Sequence, residues 1–160
     1  MKKFSIEIKW GIIAIIIFLA WMTLEKEMGF HDVKIKWEPL FNILYIFPLF
    51  LLYFLALLDK KTNYYKGNMN WKQGIIAAIV ISFIMVLFSP ISQFILHEFI
   101  SPNFLNNTIN YTVAAKKLSL EGAKEYTTLS SSIWKNISDS LSFGVVIGAI
   151  VAYILKTKTE

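Results

Sequence analysis

The chain has 160 residues, of which 56% are apolar and 17% charged, and it carries a formal net charge of +5. Its mean hydropathy of +0.54 is too high for an ordinary soluble domain, and the length holds no more than one membrane domain. With no cysteine there are no disulfides, thiolate ligands, cysteine nucleophiles or lipoprotein anchor, and with lysine as the only basic residue besides histidine there are no guanidinium clamps for phosphate.

Four apolar runs without a charged residue follow one another: Trp10–Leu24, Pro39–Leu58, Gly74–Leu96 and Ser140–Leu155. Crossing a hydrocarbon core takes roughly 20 helical residues. The second and third runs, with 20 and 23 residues, suffice alone, while the first and fourth, with 15 and 16, need their flanks. Phe4, Ile6 and Ile8 extend the first run into a helix over about 6–25. Its start, Met1-Lys2-Lys3, resembles a signal peptide, but Ala20-Trp21-Met22-Thr23 lacks a small-x-small cleavage site, so the run reads as an uncleaved first helix.

The second helix is expected over about 38–58, with Pro39 in its first turn and a kink at Pro48. Lys66-Gly67-Asn68 turns the chain towards a third helix over about 73–99, with a second kink expected at Pro90. Ser101-Pro102 reads as the start of a further helix carrying Leu105, Ile109 and Val113 on one stripe. A break near Lys117 precedes Ser119 as a second cap, and Leu120, Ala123 and Tyr126 form another stripe. A helical hairpin over about 101–132 follows from this, ending in a polar stretch before the fourth helix, about 133–155, which Ile133, Trp134 and Ile137 lengthen. Unbroken apolar runs without strict alternation select helices over a membrane barrel. The expectation is an all-α polytopic protein, a single membrane domain over 1–160 with four transmembrane helices.

With four spans, both termini and the central loop share one side, which holds nine lysines against three acidic residues. The other side holds seven lysines against eight acidic residues. By the positive-inside rule the chain lies N-in and C-in, with the hairpin outside. The pI near 9.3, which in a soluble protein would suggest nucleic acid, is accounted for by this asymmetry. Trp10, Tyr64, Tyr65, Trp71 and Tyr153 fall near the inner interface and Trp21, Trp37 and Trp134 near the outer one, as aromatic belts require.

Two patterns bear on function. Gly74, Ala78 and Ser82 recur at i+4 on the third helix, and Ser140, Gly144, Gly148 and Ala152 on the fourth. Small residues let membrane helices approach closely. In antiparallel register Gly74 meets Ala152, Ala78 meets Gly148 and Ser82 meets Gly144, either within the chain or across a homodimer seam. The second pattern is a gathering of polar residues towards the outer ends: Glu25, Asn42, Ser89, Gln93, His97, Asp139 and Ser142. Polar side chains at membrane depth face the bundle or a wet cavity, so these seven outline a polar pocket open to the outside.

His31 and His97 stand near acidic residues, but no HxxxH or HExxH spacing supports a metal site, and no cofactor is expected. Glu7, among apolar residues at the inner interface, reads as a surface residue paired with Lys3 or Lys9, or as a contact for a partner. Nothing matches a phosphate-binding loop, a nucleophile elbow or paired catalytic carboxylates.

Several local sequences occur together: Glu7-Ile8-Lys9-Trp10-Gly11, Trp21 with Leu24-Glu25-Lys26, Gly29 with His31-Asp32, Leu55-Ala56-Leu57-Leu58-Asp59-Lys60, Trp71-Lys72-Gln73-Gly74, and Ser89-Pro90 with Ser92-Gln93 and His97. In these the chain resembles, over nearly its whole length, the bacterial membrane family known as domain of unknown function 4199. The resemblance implies a four-helix protein of the bacterial inner membrane with no catalytic residues to carry over, and a polyprenyl-phosphate glycosyltransferase as a possible partner. The expected function is that of a small non-enzymatic accessory protein that binds membrane lipid and a partner membrane protein or lipid-linked substrate, or a second copy of itself. The alternatives are a small transporter or lipid flippase using the outer pocket, and an intramembrane enzyme using His97 and Glu98.

Overall fold

A computed structural model describes residues 4–157, and among them the chain is helical with no strand. Helix α1 spans Ser5–Glu27, α2 Glu38–Asn42, α3 Ile46–Asp59, α4 Trp71–Ile95, α5 Phe104–Ala114, α6 Leu120–Tyr126 and α7 Leu129–Leu155. Tighter or wider turns join several of these into longer rods. Four stretches are long and apolar enough to cross a membrane: Ser5–Glu27, Ile35–Tyr64, Trp71–Ile100 and Leu129–Leu155. They make the chain a multi-pass, all-helical membrane protein.

Each rod starts and breaks for local reasons. Pro48 offers no N–H to the Leu44 carbonyl, and the chain answers with a 3₁₀ turn over Ile43–Tyr45 between α2 and α3. Helix α4 opens on a reciprocal cap, in which the Gln73 N–H donates to Asn70 Oδ1 and the Asn70 N–H to Gln73 Oε1, both at 2.9 Å. It continues through Pro90 as far as Ile95, then widens into a π turn over Leu96–Ile100, where the Ser101 N–H donates to the Leu96 carbonyl at 2.7 Å.

That winding displaces the start expected at Ser101-Pro102. These residues form a turn, closed by the Phe104 N–H on the Ser101 carbonyl at 3.1 Å, and α5 begins only at Phe104. Ser119 does cap α6, its hydroxyl accepting the Gly122 N–H at 3.1 Å. The polar stretch before the fourth long helix is itself helical from Leu129. Thr128 and Ser131 cap each other there, with the Ser131 N–H on Thr128 Oγ1 at 3.1 Å and the Thr128 N–H on Ser131 Oγ at 2.9 Å.

The chain divides into two compact units, and each of the four long rods contributes a part to both. The first unit comprises Ile46–Phe88 with the chain up to Ile16 and from Ile137 onward. Its centre is Tyr53, fully enclosed, whose hydroxyl lies 2.7 Å from Ser82 Oγ. Ser82 Oγ also lies 3.1 Å from the Ala78 carbonyl and the Tyr53 hydroxyl 3.9 Å from Met85 Sδ, so each hydroxyl of the pair has a second partner. Helices α4 and α7 touch through small residues: Gly144 lies against Ser82 and the Tyr53 hydroxyl, Gly148 against Ala78, and a Cβ on Gly74 would lie 2.6 Å from the Ala152 methyl. Gly11 of α1 sits against Ile84.

One end of this unit is tied by charge. Lys60 reaches both oxygens of Glu7, at 2.9 and 3.1 Å, with both side chains buried, and its ammonium lies 3.7 Å from the centre of the Tyr64 ring. Glu7 is therefore not the surface residue its neighbours suggest. The adjacent Asp59 accepts from Lys9, from Trp10 Nε1 at 2.8 Å and from Asn63 Nδ2 at 2.7 Å. Lys61 donates to the Leu155 carbonyl at 2.8 Å, closing the C-terminal end of α7. Thr157 and Met69 exchange two hydrogen bonds of 2.8 and 3.0 Å that hold the chain beyond α7 to the loop before α4.

Candidate functional site

The second unit comprises Ile17–Tyr45 and Ser89–Asn136, and it encloses polar side chains. Glu25, in the last turn of α1, is fully buried. It accepts from Trp21 Nε1 at 2.6 Å, and its other oxygen lies 3.4 Å from His31 Nε2. Gly29, with φ of 82°, reverses the chain after α1 so that His31 folds back onto this carboxylate.

Phe104, the first residue of α5, stacks on the His31 ring at 4.1 Å and more distantly on the His97 ring at 6.1 Å. Asn107, one turn later, donates to the His31 carbonyl at 2.9 Å. His97 is buried in the π turn at the end of the third long rod. Both of its ring nitrogens, and Nδ1 of His31, are enclosed without a hydrogen-bond partner in the protein. Leaving such groups unpaired costs about 1–3 kcal/mol each. An aromatic stack of Trp21, Phe41 and Phe30, with ring centres 5.3 and 4.2 Å apart, packs beside the carboxylate's own helix.

Four of the seven residues that outline the expected pocket are buried in this unit: Glu25, Ser89, Gln93 and His97. The Ser89 hydroxyl donates to the Ile133 carbonyl at 3.4 Å, and Ser92, on the next turn, to the Ser89 carbonyl at 3.0 Å. Asn42 is half-buried and donates to Glu38 at 3.1 Å, which lies within electrostatic reach of Glu25, His31 and Lys135. Asp139 and Ser142 belong to the first unit, where Asp139 is half-buried and Ser142 exposed. A hollow of about 440 Å³ on the second unit is lined by Asp32, Val33, Ile35, Asn107, Asn110, Tyr111 and Ala114, and by none of the seven. Phe104 and Asn107 carry no spacing signal in the sequence, since their contacts with His31 span more than 70 residues, whereas Trp21 and Glu25 stand four residues apart on α1.

Among the described residues no group of three or more histidines and carboxylates is placed to hold a metal ion. What the site offers is a buried carboxylate satisfied by an indole and an imidazole, and a second imidazole with unused hydrogen-bonding capacity.

The model of a protein family of unknown function (DUF4199) matches residues 9–157, nearly the whole chain. The chain belongs to this family. No characterised protein and no solved structure matches it. The family match runs through both units and includes every residue of the candidate site.

Proposed function

We propose that this member of the DUF4199 family is a small non-enzymatic accessory protein of the bacterial inner membrane. It lies N-in and C-in, with α5 and α6 outside, and binds another membrane protein or a lipid-linked substrate. The observation that supports this reading most directly is that each unit is filled by its own side chains. Tyr53 and the glycine contacts occupy the first, and Phe104, His31 and the aromatic stack occupy the second. Outward, α4 and the turn after it present Phe83, Leu87, Ile91, Phe94 and Phe99, an apolar face open to lipid or to a partner helix. The test is the mass of the protein released from bacterial membranes in mild detergent. A defined complex, with a second copy or a partner at fixed stoichiometry, is expected. A lone monomer with no partner sinks the proposal.

The unpaired imidazole of His97, at the end of the buried polar stripe Ser89, Gln93 and His97, favours a second reading as a transporter or flippase. It requires transport in proteoliposomes that is lost on Gln93→Leu. The accessory reading expects no transport in the first place.

A further inference from the structure

We propose that a shallow apolar groove on the first unit binds an anionic phospholipid, its acyl chain lying in the groove and its phosphate held by Lys72 and Lys156. The groove has a volume of about 300 Å³ and is lined by Trp71 at the start of α4 and by Ala149, Ile150, Tyr153 and Ile154 near the end of α7. The small Ala149 leaves the gap between larger neighbours. The Trp71 indole is fixed across it by donating Nε1–H to the Ala149 carbonyl at 3.0 Å. The four larger residues are exposed along two membrane-crossing helices, so an acyl chain is what they meet.

One end of the groove is cationic. The Lys156 ammonium lies 4.0 Å from the centre of the Tyr153 ring, exposed Lys72 follows Trp71, and Lys61 sits on the Leu155 carbonyl. The acidic residues of that end are already engaged, Glu7 by Lys60 and Asp59 by Lys9. Asp139, the remaining described acidic residue of the unit, stands on α7 about 15 Å from Ala149 along the helix axis. Lysines on flexible stems at headgroup depth attract an anionic lipid and do little for a zwitterionic one. The groove shares no residue with the polar site of the second unit, so it stands or falls independently of any partner.

The test is native mass spectrometry of the full chain in mild detergent, after incubation with equal amounts of phosphatidylglycerol and phosphatidylcholine. Phosphatidylglycerol is expected to be retained in preference, and each lysine removed in Lys72→Gln and Lys156→Gln to reduce that preference about fivefold. Ala149→Phe, which fills the groove, is expected to lower retention of both lipids. The lysine variants change only side chains that reach solvent and leave the fold in place. Equal retention of the two lipids by the unaltered chain, or an unchanged preference in the double lysine variant, overturns the proposal.

Discussion

Lys60 and Glu7 illustrate how single residues decide this structure. Each is charged, each is buried, and the bidentate contact of 2.9 and 3.1 Å makes up for water that both have lost. Removing one partner of such a pair strands the other, at a cost of about 3–5 kcal/mol, whereas replacing both with apolar residues of like size is close to neutral. Glu7→Leu alone and Lys60→Met alone are therefore expected to lower the midpoint of thermal unfolding in detergent, and the double variant to recover most of the loss. Additive losses in the double variant would show that the two side chains act separately. The pairing was not legible in the sequence, where Glu7 has Lys3 and Lys9 as near neighbours and its true partner stands 53 residues away. His31 is the parallel case in the second unit, its role set by a turn at Gly29 and by a ring from α5.

At the scale of elements, α4 and α7 owe their contact to what is missing from their facing sides. Gly148 leaves no room for a Cβ beside Ala78, and Gly144 none beside Ser82 and Tyr53. Backbones this close gain dispersion contacts that lipid, which is as apolar as leucine, cannot supply by a hydrophobic drive. Gly148→Leu is expected to force the helices apart and destabilise the protein by about 1–3 kcal/mol. Val146→Leu, on the exposed side of α7, should leave the unfolding midpoint unchanged. Equal midpoints for the two variants would mean that the seam tolerates a side chain. The stripes themselves were visible as i+4 spacings, because a helix repeats its face every turn whatever lies opposite. The ends of the elements were less visible. Thr128 with Ser131 reads as part of a polar linker until its reciprocal bonds are seen, and Ser101-Pro102 reads as a helix start until the π turn before it is known.

For the whole molecule, the four long helices were legible because a hydrocarbon core imposes a length and an apolar content that few other folds need. How the polar ends assemble was not, since Glu25, His31, His97 and Phe104 come from separate stretches that only the turns between helices bring together. The proposed orientation rests on lysine: the end of the chain that carries Lys9, Lys60, Lys61, Lys66, Lys72 and Lys156 is the one that the positive-inside rule retains in the cytoplasm. The chain contains no cysteine, so a single introduced thiol reports its side without background. Lys72 and Lys124 are both exposed, the first at the start of α4 and the second on α6. In intact bacterial cells a membrane-impermeant maleimide is expected to label Lys124→Cys and to leave Lys72→Cys unlabelled until the membrane is opened. The opposite pattern would invert the topology and place the lysine-flanked groove on the outer leaflet. Labelling of both positions in sealed cells would mean that the central loop does not stay inside, and the lysine asymmetry would then have no role in topology.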